Sequence, residues 1–233
     1  MPTNLFGQII GEPVDDFLGD KPSIDLLEGV YCQVEKLDVA KHFEDLFDFF
    51  GDGPNALPED WTYLSLEGNM SREELSTLLR AWEVSEDPYY LVIKDKVSQR
   101  ALGIFSLMRI NQSARSIEMG WVIYSCLLQK SRIATEAQYL VMKYVFEVLN
   151  YRRYEWKCDH LNTRSHNAAL RLGFTFEGTF RQATIYKGRT RDTDWHSILD
   201  KEWPANKLAL ESWLSADNFT AEGRQLKSLS DFR

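Results

Sequence analysis

Residues 124–137 have the sequence YSCLLQKSRIATEA, and they join the end of a predicted strand to the longest helical pattern in the chain. The first amides of a helix have no partner within the helix and lie at the positive end of its dipole, so they can bind an anion. Lys130 and Arg132 add two full positive charges beside those amides. The stretch therefore indicates a phosphate-binding loop, although an ordinary strand-to-helix connection has the same pattern.

The elements on either side of this loop predict a mixed sheet. In the preceding strand the residues alternate, and Ile117, Met119, Trp121 and Ile123 are expected on one face. Predicted strands lie at 30–37, 89–94, 101–110, 116–124, 153–158, 174–186 and 192–199, and predicted helices at 39–50, 72–86, 132–149, 163–172 and 202–214. Early antiparallel strands followed by strand–helix–strand crossovers indicate an α/β fold that is not a doubly wound parallel sheet.

The loop resembles the pyrophosphate motif of the GNAT superfamily of N-acetyltransferases, Gln/Arg-x-x-Gly-x-Gly/Ala. Gln129 and Ala134 match this motif, and Arg132 stands where its first glycine is typical. The Thr-Glu-Ala that follows, residues 135–137, is similar to the RimJ/RimL-like branch of the family. The arginine either crowds the phosphates or binds them through its guanidinium, and the sequence leaves both alternatives open.

A second stretch, NTRSHNAALRLGF at residues 162–174, resembles the Asn-x-x-Ser and Gly-Phe signature of the same branch. The resemblance implies that Asn162 and Ser165 lie beside the CoA arm. Asn is also a favoured N-cap, so Asn162 has a structural role available as the cap of the helix that follows. The two roles are compatible.

The resemblance implies a mixed six- or seven-stranded sheet, splayed centrally between the strands of Glu118 and Trp156 and flanked by helices. It covers residues 28–204, with an irregular lead-in at 1–27 and a C-terminal helix and polar tail at 205–233. It also implies acetyl-CoA as cosubstrate and a primary amine as acceptor, either a protein N-terminus or a small molecule. Homodimers are common in such families, and the sequence leaves the oligomeric state open. The residues expected to bind the cosubstrate are Val122, Ile123, Tyr124, Gln129, Lys130, Ser131, Arg132, Ile133, Ala134, Thr135, Asn162 and Asn167.

Acetyl transfer needs a base for the amine and a hydrogen-bond donor for the departing thiolate. Glu118 is the candidate base, directly or through water, and a paired structural carboxylate is the alternative. Many superfamily members place a tyrosine where this chain has Ala169, so Ser165 is the expected donor. Trp61 and Tyr63 are expected to line the acceptor site, although for Trp61 packing in an aromatic core is the favoured alternative.

Composition excludes several other classes of protein. The net charge of −8 argues against nucleic acid as a partner. The three cysteines have no C-x-x-C spacing, and with four histidines they match no usual set of metal ligands, so no metal is expected. No basic leader precedes an apolar run, and no segment reaches the ~18 apolar residues of a membrane span. A cytoplasmic protein without a membrane partner is the expectation.

Two rival functions remain open at this stage. The first is a protein of the same fold that binds acyl-CoA as a sensor or scaffold without turnover, which the arginine in the motif and Ala169 both favour. The second is a hydrolase with Ser165 as nucleophile and His160 or His166 as base. The absence of a G-x-S-x-G motif argues against the hydrolase.

Overall fold

Eight strands form one sheet in the computed structural model, which describes residues 1–233. The strands are β1 (Leu26–Glu28), β2 (Cys32–Lys36), β3 (Tyr89–Asp95), β4 (Ala101–Asn111), β5 (Ser116–Tyr124), β6 (Arg153–Asp159), β7 (Thr175–Tyr186) and β8 (Arg189–Leu199). Their spatial order is β1-β2-β3-β4-β5-β6-β8-β7. The expected mixed sheet is confirmed, and it has one more strand than expected because the short β1 adds an edge beside β2.

The sheet opens between β5 and β6, the only parallel pair of neighbours. These strands pair from Ser116 with Arg153 as far as Met119 with Trp156. Beyond those residues β5 continues to Tyr124 and β6 continues without pairing to β5. The facing edges of the two strands therefore have free backbone groups, which is the splay expected from the resemblance.

Five α-helices cover the two faces of the sheet: α1 (Val39–Phe50), α2 (Arg72–Glu83), α3 (Arg132–Lys143), α4 (Thr163–Leu172) and α5 (Trp203–Leu214). The helices α3, α4 and α5 share a core of 30 buried residues with one face, and α1 and α2 share 14 with the other. No helix is long and apolar enough to cross a lipid bilayer. The junction of α3 and α4 with the open part of the sheet positions the candidate site.

The alternation predicted for β5 is wrong beyond Gly120, because a β-bulge interrupts the strand. Trp121 has a φ of 50°, and the pairing with β4 shifts register at this point. One inserted residue moves every later side chain to the opposite face. Ile117 and Met119 therefore pack in the larger core, whereas Trp121 and Ile123 pack in the smaller one.

The helix after the loop is shorter than predicted. Regular α-helix ends at Lys143, and Tyr144–Val148 form a π-helical turn instead of the last turns expected up to residue 149. The hydroxyl of Tyr144 accepts a hydrogen bond from the Ser23 amide at 3.0 Å. The π-turn thus lies where the N-terminal segment crosses the helix.

Candidate active site

The loop between β5 and α3 presents free backbone donors. Ser131 is the N-cap of α3, and its hydroxyl accepts a hydrogen bond from the Ala134 amide at 3.0 Å. Lys130 turns the chain into the helix with a φ of 58°. The amides of Lys130, Arg132 and Ile133 donate to no acceptor in the protein. Three amides at the positive end of a helix dipole are suited to binding a phosphate group.

Positive side chains surround these amides. The Arg132 guanidinium lies 3.7 Å from the centroid of the Tyr31 ring and 4.4 Å from that of Phe219. This arginine is therefore held between two aromatic rings, which is a favourable cation–π arrangement. The adjoining cleft has a volume of about 620 Å³, and its charged lining residues are Lys130, Arg132, Arg224 and one carboxylate, Asp95. No residue of β5, β6 or α4 lines this cleft. Charge and size both fit an anionic ligand larger than a single phosphate.

The unpaired part of β5 continues from this loop into the sheet. Val122, Ile123 and Tyr124 all lie beyond Met119, where pairing to β6 has ended. The Tyr124 hydroxyl accepts a hydrogen bond from the Gln138 amide at 2.8 Å, and burial raises its pKa. Backbone groups at such an open edge can bind an extended chain in the way that a neighbouring strand would.

The first turn of α4 faces the same opening. The Asn162 side chain caps α4 by accepting a hydrogen bond from the Ser165 amide at 3.1 Å, as expected of an N-cap. The Ser165 hydroxyl accepts a hydrogen bond from the Trp156 indole at 2.9 Å, so its own proton is available to a ligand. Asn167 is exposed on the same helix. The structure thus places Asn162 and Ser165 together beside β6.

Two further side chains from the predicted set link α3 to other elements. The Thr135 hydroxyl accepts a hydrogen bond from Arg171 of α4 at 3.1 Å, across the space between the two helices. Gln129 donates through its side-chain amide to the carboxylate of Asp60 at 2.5 Å. Asp60 belongs to the segment between α1 and α2, which the sequence did not connect with this loop.

Glu118 is buried in an ion-pair network at the base of the opening. Its Oε2 lies 2.6 Å from the Lys157 ammonium and 2.9 Å from the Arg109 guanidinium. The same ammonium lies 2.8 Å from Glu155, the residue of β6 that pairs with Glu118 in the sheet. Glu118 is therefore a paired carboxylate in this structure, and both of its ion pairs use one oxygen.

Of the two residues expected at the acceptor site, Trp61 is part of the smaller core. Its ring is 5% exposed and packs edge-on against Phe50, with centroids 5.0 Å apart. A Cβ atom at Gly68 would lie 2.4 Å from the indole, so the loop closes tightly over this ring. Tyr63, two residues later, is only partly buried. The geometry favours the core-packing alternative for Trp61 and leaves Tyr63 at the surface of the loop.

The structure adds a polar pair that the sequence analysis missed. Asp159 ends β6 in the opened region, and its Oδ2 accepts a hydrogen bond from the Tyr186 hydroxyl at 2.8 Å. Burial and the contact with Asp159 raise the pKa of Tyr186 to about 12. The alternation that gave Glu155 and Lys157 one face of β6 extends to Asp159. Nothing local indicated Tyr186, which arrives from the far side of β8.

The hydrolase arrangement is not assembled. Ser165 makes no hydrogen bond to a histidine, whereas His160 and His166 both contact Asp194, at 2.9 and 3.2 Å. A nucleophilic serine needs a base within hydrogen-bond reach. No three His, Cys, Asp or Glu side chains lie close enough to share a metal ion.

Comparison with known proteins gives consistent matches. Residues 36–175 match the family described as the acetyltransferase (GNAT) domain. A GCN5-related N-acetyltransferase from Brucella melitensis is 41% identical, with a TM-score of 0.89 over 92% of this chain and 96% of that one. Over 105 residues the chain is 30% identical to YdaF of Bacillus subtilis (strain 168), a candidate ribosomal N-acetyltransferase. That match spans 45% of this chain and only 57% of YdaF.

A more distant structure shares the fold and contains CoA. Spermidine N-acetyltransferase from Vibrio cholerae, solved with CoA and spermine, is 20% identical. Its TM-score is 0.60, over 76% of this chain and 99% of that one. At this identity the similarity is evidence of a common fold only.

Proposed function

The chain belongs to the GNAT acetyltransferase family, and from that membership we propose that it transfers an acetyl group from acetyl-CoA to a primary amine. The observation that carries the proposal is the continuity of the opened β5 edge with three free amides at the start of α3. An extended thioester arm fits the open edge, and its pyrophosphate fits the amides. We also expect the enzyme to be cytoplasmic.

Residues of the loop before α3 and residues of β5 would hold the cosubstrate. The amides of Lys130, Arg132 and Ile133 would bind the pyrophosphate, and the backbone near Val122 and Tyr124 would bind the arm. Donors along this part of β5 would also stabilise the negative charge that develops on the thioester oxygen. The CoA found in the spermidine N-acetyltransferase of the same fold supports acetyl-CoA as the cosubstrate.

Glu118 is our candidate for the base that takes up the amine proton. Both of its ion pairs are made by Oε2, which leaves Oε1 for a bridging water. The neutral amine attacks the thioester carbon, the carbon–sulfur bond breaks, and the electron pair leaves with sulfur. Ser165 donates a hydrogen bond to the thiolate, which is a fair leaving group because a free thiol has a pKa near 8.5. Glu118 takes up the proton that nitrogen loses as the carbon–nitrogen bond forms and returns it through water to the thiolate, so the carboxylate is regenerated and CoA leaves as the thiol.

The proposal specifies a primary amine as acceptor, and several kinds of molecule carry one. A ribosomal substrate is implied by the name of YdaF and a polyamine by the spermidine enzyme, and either a protein N-terminus or a small amine fits a family of this kind. We assign recognition of the amine to Tyr63, which is partly buried, and to the Asp159–Tyr186 pair.

The test is release of CoA thiol from acetyl-CoA in the presence of a panel of amines, followed by mass spectrometry of the acetylated product. We expect release that depends on an amine. Arg132 in the motif and Ala169 in place of a tyrosine favour a second candidate, a CoA-binding sensor. A sensor would bind CoA tightly and release no thiol with any amine, and that result would replace the enzyme proposal.

A further inference from the structure

Asp60, in the segment between α1 and α2, bonds to elements on both sides of the opening between β5 and β6. Its Oδ2 accepts the hydrogen bond from Gln129, in the loop before α3, at 2.5 Å. Its Oδ1 accepts one from Arg164, in the first turn of α4, at 3.1 Å. These partners lie 69 and 104 residues away in the chain. A single carboxylate therefore bridges the loop that would receive the pyrophosphate and the first turn of α4, which would lie beside the CoA arm.

The segment that carries Asp60 is held by other contacts as well. Trp61 is buried against α1, and its backbone carbonyl accepts a hydrogen bond from the Lys187 ammonium at 2.8 Å. Arg189 donates to the carbonyl of Thr62 at 3.0 Å. Both cations belong to the β7–β8 hairpin. The position of the segment thus does not depend on Asp60, and a variant that changes only this carboxylate should keep the loop in place.

The ion pair of Asp60 with Arg164 is easily exchanged. The Arg164 side chain is 77% exposed and that of Asp60 is 24% exposed. Exposed pairs of this kind contribute little to stability and are screened by solvent. A cosubstrate with several phosphate charges attracts Arg164 more strongly than one carboxylate does.

We propose that Asp60 is a positioning residue that binds Gln129 and Arg164 before acetyl-CoA binds. When acetyl-CoA binds, Arg164 exchanges its ion pair with Asp60 for one with the phosphates. This inference rests on the proposed function, because it assumes that the opening receives acetyl-CoA. Its consequence is energetic coupling between the segment at 57–67 and the cosubstrate site. An acceptor that binds more tightly while that segment is tied to α4 therefore weakens acetyl-CoA binding, and acetyl-CoA weakens acceptor binding by the same factor, since coupling between two sites is reciprocal.

The first test is the dissociation constant of acetyl-CoA, measured calorimetrically for the wild type and for Asp60→Asn. Removing the competing carboxylate should tighten binding by about three- to ten-fold. The matched control is Glu59→Gln, which removes the same charge from the neighbouring residue. The Glu59 side chain is exposed and has no partner in the protein. Glu59→Gln should change the constant by less than about two-fold, because an exposed charge acts on the phosphates through screened solvent.

A double-mutant cycle tests the route through Arg164. In an Arg164→Gln background, Asp60→Asn should lose most of its effect, because the cation released by the substitution is no longer there. In steady-state kinetics Asp60→Asn should lower the KM for acetyl-CoA and leave kcat within about two-fold, a split that general loosening of the fold would not produce. Equal dissociation constants for Asp60→Asn and Glu59→Gln, or weaker binding by Asp60→Asn, would overturn the inference.

The two proposals fail in different ways. If the wild type acetylates an amine but Asp60→Asn binds acetyl-CoA no more tightly, the coupling role is wrong and the enzyme assignment stands. If the wild type neither binds acetyl-CoA nor releases thiol, the proposed function fails first and the coupling role fails with it.

Discussion

The Lys157 ammonium lies 2.6 Å from Oε2 of Glu118, and this contact crosses from β6 to β5 at the point where the two strands separate. Met119 and Trp156 form the last paired position of the two strands, and Lys157 is the next residue of β6. The ammonium also lies 2.8 Å from Glu155. Two carboxylates on neighbouring strands therefore share one cation at the base of the opening.

This network offers a direct comparison of two carboxylates. If Glu118 takes up the amine proton, Glu118→Gln should lower kcat by about 10²–10⁴-fold, the usual contribution of a general base. Glu155→Gln is the control, since it removes a carboxylate from the same ammonium and leaves Glu118 in place. We expect Glu155→Gln to change kcat by less than about ten-fold. Similar losses in the two variants would assign Glu118 a structural role only.

The free backbone amide of Arg132, at the start of α3, can be removed with little other change to the protein. Proline suits the first position of a helix, and Ser131 before it is already extended, with a φ of −88° and a ψ of 162°. Arg132→Pro should therefore fold like Arg132→Ala and differ from it mainly by one N–H. A hydrogen bond to a charged group contributes about 1.5–3 kcal/mol, so the proline variant should bind acetyl-CoA about ten-fold or more weakly than the alanine variant. Equal affinities in calorimetry would show that this amide does not hold the pyrophosphate.

Ser165 separates the acetyltransferase from the rival hydrolase. As a hydrogen-bond donor to a fair leaving group, it should contribute modestly, and Ser165→Ala should slow amine-dependent thiol release by about ten-fold. A nucleophilic serine would give a loss of several orders of magnitude. Trp156→Phe is an informative companion, because it removes the indole that donates to the serine hydroxyl and leaves the serine in place.

Local sequence patterns predicted most elements of the fold and the position of the loop. Ser71 and Glu74 have the spacing of a capping box, and both of its hydrogen bonds are present at the start of α2. Gly173 follows a helical pattern, as a glycine at a helix C-terminus does, and its φ of 100° lies in the left-handed region that glycine adopts readily. Such features depend only on a few residues that are close together in the chain, so they can be predicted from a single sequence.

Features that depend on strand register or distant contacts were not predictable in this way. The bulge at Trp121 inserts one residue into a regular alternation, and no residue type marks it. The charge partners of Glu118 come from two other strands, so its environment followed only from the assembled sheet. Glu136 illustrates the same limit, because its buried carboxylate accepts hydrogen bonds from three backbone amides of the turn between β1 and β2.

The His160–Asp194 contact should make stability depend on pH. The hydrogen bond and the charge of Asp194 raise the pKa of His160 above its ordinary value of about 6.5. The folded state then binds this proton more tightly than the unfolded state, so the contribution is complete below about pH 6.5 and is lost as pH rises through the folded pKa. Urea unfolding at pH 6 and pH 8.5 should show a smaller difference in unfolding free energy for His160→Gln than for the wild type. An unchanged difference would exclude this histidine as the source.

The central claim is that the loop between β5 and α3 binds the pyrophosphate of acetyl-CoA. Thermal unfolding of the wild type across a range of acetyl-CoA concentrations, with Arg132→Pro in parallel, tests it most directly. A ligand at one hundred times its Kd stabilises the folded state by about 2.7 kcal/mol, and for a chain of this size each kcal/mol raises Tm by about 2–4 °C. We expect the Tm of the wild type to rise by several degrees, and we expect Arg132→Pro to need about ten-fold more ligand than Arg132→Ala, measured alongside, for the same shift. A Tm that stays constant up to millimolar acetyl-CoA would contradict the account.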